Sequence, residues 1–235
     1  MPERIRPRFR TCVFQDLQVL EYRRALDLQV DTRSAKIQNR SLPDHLFFVQ
    51  HPPVFTFGRR GGKENLMKPD HFLEQQGIEM VQTDRGGNIT YHGPGQAVLY
   101  PVVDLDRACI GVADFVHGLE EIMGRTAQDF GVSISRDPRN RGMWKGSRKI
   151  GSVGLSIRHG ISIHGLALNV SLDLTPFSWI NPCGLSRVAM TSLEQELQIS
   201  QKKDICVSMD AVKKKFVTYF CHVFNFQLIR EATHA

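Results

Sequence analysis

The stretch from residue 149 to residue 172 most constrains the fold of this chain. It reads KIGSVGLSIR, then HG, then ISIHGLALNVSL. The two flanking segments are rich in β-branched and small apolar residues, which is typical of strands, and His159-Gly160 supplies the turn between them. The sequence therefore predicts two strands, over residues 149–158 and 161–172, that turn back on each other as an antiparallel pair.

Two amphipathic helices are predicted, over residues 112–130 and 210–224. In each of them apolar residues recur three or four positions apart and so share one face, and Gly131 ends the first helix. A polar segment without glycine or proline, from residue 16 to about residue 36, is predicted to be a third helix. Residues 69–76 are predicted to form a short helix.

Short apolar runs at residues 45–50, 54–57, 78–83 and 97–104 predict further strands. Pro101 interrupts the last run and suggests an edge strand or a bulge, because proline lacks the amide donor of a ladder. Helices thus alternate irregularly with strands. The predicted fold is α/β of a mixed, α+β-like kind, a mixed or antiparallel sheet packed with helices, in a single domain over residues 1–235.

The composition of the chain indicates the cellular compartment in which it functions. The five cysteines are widely spaced and no CxxC pair occurs, which argues against a zinc knuckle or a redox dithiol and favours free thiols in a reducing cytoplasm. No apolar run reaches the length of a membrane span, and the N-terminus lacks the apolar core of a secretory signal. We therefore expect a cytoplasmic protein without a metal or a membrane anchor.

Basic residues exceed acidic ones and give a net charge of +6. They concentrate in two clusters, which contain Arg136, Arg139, Arg141, Lys145, Arg148 and Lys149 in one and Arg59, Arg60 and Lys63 in the other. Such clusters suit an acidic partner, either nucleic acid or an acidic protein, or they are ordinary solvated loops. No aromatic interleaving or known nucleic-acid motif supports the first of these partners.

Residues 84–101, DRGGNITYHGPGQAVLYP, form a glycine-rich loop. Its backbone can follow paths closed to other residues, and its amides can bind a carboxylate, phosphate or carbonyl oxygen. The G-x-G-x-x-G spacing of dinucleotide sites is absent. No phosphate loop is found elsewhere in the chain either. Gly146 and Gly151 have its spacing, but Ser152 stands where its lysine would be. Either a ligand-binding loop or a structural turn remains open at this point.

WINPCGL places Cys183 between a proline and a glycine. A free cysteine is most often a small buried apolar residue, so this segment alone favours a structural thiol.

Five segments change that interpretation when they are taken together. HPPVFTFGRR, RGGNITYHGPGQAVLY, RKIGSVGLSI, HGLALNV and INPCGL, in this order over about residues 45–185, resemble the lipoyl(octanoyl) transferases. The resemblance implies transfer of an octanoyl group from an acyl carrier protein to a lysine of a lipoyl domain. It also implies an α/β architecture shared with biotin protein ligases and lipoate ligases, and no cofactor.

The resemblance assigns roles to particular residues. Cys183 is the expected acyl-thioester nucleophile, and Lys149 is the partner that lowers the pKa of the thiol and moves protons. The expected substrate-binding residues come from three segments: Arg85, Gly86, Gly87, Asn88, Ile89, Thr90, Tyr91 and His92; Ser152, Val153 and Gly154; and Gly165, Leu166 and Ala167. Beyond substrate binding, a direct role of His92 in the transfer stays open.

The implied chemistry is consistent with these residue types. A thioester is an activated donor, so the transfer needs no ATP, and cysteine exchanges readily with thioesters. Backbone amides of the glycine-containing segments are the expected oxyanion donors. The apolar side chains expected along an acyl tunnel, each of which also suits an ordinary core, are Leu155, Ile163, Leu166 and Leu168.

The resemblance also implies partners. The expected donor is octanoyl-acyl carrier protein, and the acceptors are lipoyl domains of 2-oxoacid dehydrogenases and the glycine cleavage H protein. Such proteins are typically acidic, so the basic stretch at residues 136–149 is a candidate docking surface. We expect a monomer that binds neither nucleic acid nor membrane. Two alternatives remain: an ATP-dependent lipoate or biotin ligase, and a non-catalytic, nucleic-acid-binding module that rests on net charge alone.

Overall fold

The predicted hairpin lies inside a large sheet. In this computed structural model, which describes residues 10–138, 140–181, 188–202 and 204–229, strand β9 (Arg148–Arg158) pairs antiparallel with β10 (Ile161–Asn169). Ile161 pairs with Arg158 across the turn, where His159 and Gly160 both have positive φ, at 48° and 73°. Two positive φ values at the centre of a two-residue loop match the twist of the flanking strands. The hairpin prediction is confirmed.

Within the described residues, eight strands form the large sheet and three form a small one. The large sheet has the order β11-β1-β2-β6-β10-β9-β8-β7, with β1 parallel to both of its neighbours and the other pairs antiparallel. The small sheet has the order β4-β3-β5. The remaining strands are β1 (Arg10–Val19), β2 (Asp44–Gln50), β3 (Val54–Phe57), β4 (Glu79–Gln82), β5 (Thr90–His92), β6 (Gln96–Val102), β7 (Ser135–Asp137), β8 (Asn140–Lys145) and β11 (Phe226–Ile229). The predicted mixed α/β class is confirmed.

The helices cover both faces of the large sheet. They are α1 (Tyr22–Gln38), α2 (Asp70–Gln75), α3 (Leu105–Ala108), α4 (Val112–Asp129), α5 (Leu193–Ile199) and α6 (Met209–Phe224). The two amphipathic predictions correspond to α4 and α6. Gly131 adopts φ of 77° just beyond α4, which is the left-handed conformation that commonly ends a helix.

The alternation of β2 shows which helices cover which face. Leu46 and Phe48 point into a core with α4 and α6, whereas Phe47 and Val49 point into a second core with α1. The small sheet has a third core of its own, which includes Phe55. The functional cavity described below opens on the α1 face of the large sheet.

The prediction for residues 16–36 is wrong at its start. Asp16 still belongs to β1 and pairs with Phe48 of β2, and the helix begins only at Tyr22. Gln18 has φ of 56°, and the register between β1 and β2 shifts around it. A polar local sequence is compatible with either a helix or a strand, so pairing with a buried neighbouring strand decides the outcome.

Pro101 does not mark an edge strand, because β6 lies between β2 and β10. The pairing of β6 with β10 ends at Leu99, two residues before the proline. The Pro101 carbonyl then accepts from the Ser162 hydroxyl at 2.8 Å. On the β10 side, Pro101 therefore lies just beyond the end of the strand pairing, so no hydrogen bond of that pairing is lost for want of an amide donor. An interior strand can tolerate the proline for this reason.

Candidate active site

A cavity of about 920 Å³ brings together the three predicted binding segments and the predicted catalytic lysine. The members of these segments that line it are Arg85, Gly86, Gly87, Asn88, Thr90 and His92; Ser152, Val153 and Gly154; and Gly165, Leu166 and Ala167, together with Lys149. It lies on the α1 face and extends past β9 to Val112 and Val116 of α4. Cys183 lies outside the described residues.

Several predicted positions lie elsewhere. Ile89 and Tyr91 do not line the cavity but pack in the core of the small sheet, where both are buried. Of the expected tunnel residues, Leu155 and Leu166 line the cavity, whereas Ile163 and Leu168 are fully buried in the cores on the two faces of the large sheet. Strand alternation separates Ile163 from Leu166 and Leu168, which face the opposite side of the sheet, and of the latter two only Leu166 reaches the cavity.

The floor of the cavity crosses three adjacent strands. Ser152 of β9 pairs with Ala167 of β10, and Ala167 pairs with Val98 of β6. Gly154 and Gly165 form the neighbouring pair. Since these side chains are small or absent, the sheet leaves open space above its own surface, and that space is bounded by weakly polar walls.

The glycine-rich loop forms the opposite wall and is fastened to the floor. The Gly86 amide donates to the Leu155 carbonyl at 2.8 Å. A Cβ at Gly154 would lie 3.2 Å from the Gly86 oxygen, and one at Gly58 would lie 2.3 Å from the Gly87 oxygen. These glycines are therefore required for the close approach of the loop to the two sheets.

Arg85 is a buried cation in the cavity wall, only 8% exposed. Its Nη2 and Nε donate to the Thr56 hydroxyl at 2.8 and 3.2 Å, and its Nη1 donates to the Gly86 carbonyl at 3.1 Å. These bonds hold the guanidinium in one orientation while leaving its charge beside the site. A buried charge of this kind favours anionic species and disfavours protonation of neighbouring histidines.

His92 is a buried neutral imidazole. Its Nδ1 donates to the Gln96 Oε1 at 2.7 Å, because the Gln96 amide nitrogen donates to the Asn169 Oδ1 at 2.9 Å. Burial, reinforced by the neighbouring His51, lowers the pKa of His92 to about 3. The tautomer that results carries no proton on Nε2, so this nitrogen can only accept a hydrogen bond.

Lys149 is also buried, with 1% of its surface exposed. Its Nζ donates to the Arg141 carbonyl at 2.9 Å and lies 5.4 Å from the centre of the Trp144 ring. The backbone of Lys149 is bonded to residues that follow Cys183 in the chain: its amide donates to the Ala189 carbonyl, and the Thr191 amide donates to its carbonyl, both at 2.9 Å. The ammonium position is therefore determined by the fold.

His164 is also part of the cavity wall. His164 has φ of 59° although it is a strand residue, and its Nε2 donates to the Asp84 carboxylate at 2.9 Å. Asp84 also accepts from Ser156 at 2.8 Å and pairs with Arg158 at 3.1 Å. Hydrogen bonding from His164 is the largest cause that holds the pKa of Asp84 well below its usual range.

The sequence reasoning missed three aromatic residues around the inner end of the cavity. Tyr22 and Tyr100 line it, and His51 lies behind them. His51 donates from Nδ1 to the Leu20 carbonyl at 2.7 Å, and its Nε2 accepts from the Tyr100 hydroxyl at 2.8 Å. Burial lowers the pKa of His51 to about 4, so this histidine is neutral as well. The only signal in the sequence was the HPP triplet that begins with His51.

Some arginines of the two basic clusters form salt bridges within the protein, and others line the cavity. Arg136 and Arg148 pair with the buried carboxylates of Glu120 and Glu196 at 2.9 and 2.8 Å, so they neutralise internal charge. A different set surrounds the mouth of the cavity: Arg59, Arg60 and Arg141. In the part of the chain that the structure describes, no carboxylate forms a salt bridge with any of these three. Arg139 lies outside the described residues.

The described residues contain neither a candidate metal cluster nor a candidate membrane-spanning helix. Among them, no three histidine, cysteine, aspartate or glutamate side chains are grouped so that they could hold a metal ion. No helix in these same ranges has the length and apolar character needed to cross a membrane.

Comparison with solved structures supports the fold. A crystal structure of lipoate-protein ligase A bound with ATP superposes with a TM-score of 0.70 at 15% identity, covering 95% of this chain and 89% of that one. The biotin protein ligase from Aquifex aeolicus in complex with biotin and ATP gives 0.52 at 9% identity, covering 92% and 71%. The expected architecture is confirmed.

Comparison of sequences supports the activity. The model of the lipoyl protein ligase A/B catalytic domain matches residues 21–221. An octanoyltransferase from Desulfotalea psychrophila is 52% identical over 155 residues, which are 65% of this chain and 70% of that relative. An octanoyltransferase from Solibacter usitatus is 37% identical over 228 residues, which are 96% and 99% of the two chains. This chain therefore belongs to the lipoyl protein ligase A/B catalytic domain family, in which it is an acyltransferase of the octanoyltransferase group that serves protein lipoylation.

Proposed function

We propose that the chain carries the octanoyl group as a thioester on Cys183, with Lys149 as the proton-transfer partner, between octanoyl-acyl carrier protein and a lipoyl-domain lysine. The observation that carries this proposal is the position of Lys149. A lysine side chain that is only 1% exposed lines this cavity beside the three predicted binding segments. Burying a lysine is costly, so this placement is typical of a chemical role.

The anchoring on either side of Cys183 supports the pairing with Lys149. Before it, the Asn181 amide donates to the Asn65 carbonyl at 2.8 Å, and the Asn65 side chain donates to the cavity residue Asn88 at 3.0 Å. After it, the Lys149 amide donates to the Ala189 carbonyl. The two ends of the segment that holds Cys183 are thus bonded to residues of the cavity wall or to their direct partners.

The reaction takes two acyl transfers. In the first, the Cys183 thiolate attacks the donor thioester carbon, the carrier thiolate leaves, and it takes a proton that Lys149 supplies. In the second, the acceptor lysine amine attacks the Cys183 thioester, the amide bond forms, and the amine proton passes to Lys149 while the cysteine thiolate is released. Backbone amides of the glycine-containing segments are the expected donors to the oxyanion in each step.

For the partners, we propose octanoyl-acyl carrier protein as donor and the lipoyl domains of 2-oxoacid dehydrogenases and the glycine cleavage H protein as acceptors. The exposed guanidinium groups of Arg59 and Arg60 at the cavity mouth suit acidic partner surfaces. They replace the stretch at residues 136–149 as the main docking candidate, because Arg136 and Arg148 are paired internally. We further propose that the protein is a cytoplasmic monomer.

Intact-mass spectrometry after incubation with octanoyl-acyl carrier protein, without ATP, tests the proposal. We expect the protein to gain the mass of one octanoyl group, and Cys183→Ser to lose the thioester adduct. Cys109→Ser is the matched control, because Cys109 is exposed and does not line the cavity. An unchanged adduct on Cys183→Ser, or an adduct that requires ATP, would contradict the proposal.

A further inference from the structure

His164 has a backbone conformation that is rare for a buried side chain. It has φ of 59° within strand β10 and is only 2% exposed. In the ranges that the structure describes, five other non-glycine residues have positive φ, and all five are exposed. A non-glycine residue in the left-handed region is strained, and such strain persists only where surrounding contacts impose it. Strained residues of this kind are concentrated at functional sites.

This conformation turns His164 toward α1. Its strand partner is Leu155, which packs on the face of α4 and α6, and directly paired residues ordinarily face the same side of a sheet. The His164 amide instead donates to the Gln29 Oε1 at 2.8 Å, and its Nδ1 lies 3.4 Å from the Tyr22 hydroxyl. Burial lowers the pKa of His164, so the imidazole is neutral at pH 7. Its proton is on Nε2, which donates to Asp84.

Asp84 is the acceptor at which several elements meet. Besides the 2.9 Å bond from His164 of β10, its carboxylate accepts from the Ser156 hydroxyl of β9 at 2.8 Å. Arg158 of β9 and Arg33 of α1 form salt bridges with it at 3.1 and 3.8 Å. One carboxylate therefore connects two neighbouring strands and the helix that covers them.

Asp84 immediately precedes the glycine-rich wall of the cavity. The next residue, Arg85, is buried and lines the cavity, and the Gly86 amide after it donates to the Leu155 carbonyl. Consecutive Cα atoms are about 3.8 Å apart, so a displacement of Asp84 is passed on to Arg85 and Gly86. The contacts of Asp84 therefore help to determine where the loop lies above the floor of the cavity.

We propose that His164 and Asp84 are a pair of positioning residues: His164 holds the Asp84 carboxylate, and Asp84 holds the glycine-rich loop at the distance from the floor that the acyl donor requires. His164 lines the cavity but acts through Asp84. The inference rests on the proposed function, because it requires the acyl donor to bind between the loop and the floor. The strain at His164 follows from this role, since a relaxed strand residue would face the opposite side of the sheet.

His164→Gly tests the proposal with little change to the backbone, because glycine adopts positive φ without strain. Quenched-flow mass spectrometry measures acyl-enzyme formation from octanoyl-pantetheine over a range of donor concentrations. We expect the half-saturating donor concentration to rise about tenfold and the limiting rate to change less than threefold, because the loop binds the donor whereas Lys149 is the proton-transfer partner. His159→Gly is the matched control and should change neither value, since His159 has φ of 48°, is exposed and lies outside the cavity.

A double-mutant cycle shows whether His164 acts through Asp84. Asp84→Asn keeps the shape of the side chain but removes its charge, and we expect the half-saturating donor concentration to rise about fivefold. If the two residues act as one unit, the double variant should resemble His164→Gly, at about tenfold, rather than reach the roughly fiftyfold of independent effects. Asp27→Asn, an exposed change on α1, is the charge-matched control.

Urea unfolding separates positioning from a merely structural role. A structural role would lower the free energy of unfolding and leave the half-saturating concentration of the folded enzyme unchanged, and that result would overturn the inference. Multiplicative effects in the double variant would also overturn it, because His164 would then contact the donor independently of Asp84.

If His164→Gly does not fold, His164→Asn takes its place with the same expectations, since asparagine tolerates positive φ and has a shorter side chain than histidine. Absence of any octanoyl adduct on the unmodified protein would instead refute the proposed function, so the two failures are distinguishable.

Discussion

The two ends of the cavity differ in charge and in exposure. The inner end is formed by His51, His92, Tyr22 and Tyr100, which are buried and neutral. Hydrogen bonds of 2.7–2.8 Å hold His51, His92 and Tyr100, whereas Tyr22 has a bond of 3.4 Å to His164. The mouth carries Arg59 and Arg60, which are exposed and positively charged. A neutral, preorganised interior suits an uncharged acyl chain, whereas open cations suit protein partners that must bind and leave. Lys149, on β9, is a buried side chain of the same cavity wall.

Removing the Lys149 amine should have the largest effect. Lys149→Ala is expected to slow acyl-enzyme formation at pH 7 by 100-fold or more, in line with the loss of a general acid–base group. Part of the rate should return above pH 8.5, where a free thiol ionises without help. Quenched-flow mass spectrometry measures the rate, and circular dichroism checks the fold. A variant that folds and acylates at the normal rate would remove Lys149 from the mechanism.

Acidification should lower the free energy of unfolding through the buried histidines of the inner end. The pKa values of His51 and His92, about 4 and about 3, lie below the value of about 6.5 of an unfolded histidine. The unfolded chain therefore binds more protons, so stability is fully present above pH 6.5 and is lost as the pH falls toward 4. Each histidine adds up to about 1.4 kcal/mol per pH unit to this loss.

Urea unfolding at pH 7.5, 6 and 5 measures this dependence. Replacing His92 by Asn should make the decline in the free energy of unfolding shallower, because one of the buried histidines no longer takes up a proton on unfolding. Burial also lowers the pKa of His164, so part of the decline should remain along with that of His51. His222→Asn, at an exposed position, should leave the slope as it is. An identical slope in the His92 variant and the unmodified protein would show that this histidine is protonated in the folded state.

The mouth should respond to charge and salt but not to the acyl group. Reversing both Arg59 and Arg60 to glutamate is expected to raise KM for octanoyl-acyl carrier protein about tenfold, with less effect at high salt. A small octanoyl thioester should be used as before. Lys214→Glu, an exposed change on α6, is the charge-matched control. Equal losses with both donors would place the arginines in acyl binding rather than in protein docking.

Local patterns sufficed to predict part of this molecule. The turn at His159-Gly160 and the helices α4 and α6 follow from residues close in sequence. Only the motif resemblance suggested that Lys149 and the glycine-rich loop would lie close together, and in the structure both line one cavity. Helical periodicity and turn chemistry act over a few residues, so the sequence reveals them directly. The same motifs also named Ile89 and Tyr91, which pack in the small sheet instead.

What only the tertiary structure decided is the pairing of distant segments. Residues 16–19 became part of β1 because a buried partner strand was available, and Pro101 was tolerated inside the sheet because its ladder ends at Leu99. The register that lays Ser152, Ala167 and Val98 in one row, together with Tyr22 on the same cavity, joins residues up to 145 positions apart, from Tyr22 to Ala167. The sequence by itself determined which chemical groups the protein carries and most of its local elements. The energy of burial and strand pairing, which no local pattern contains, determined which of those groups face the substrate.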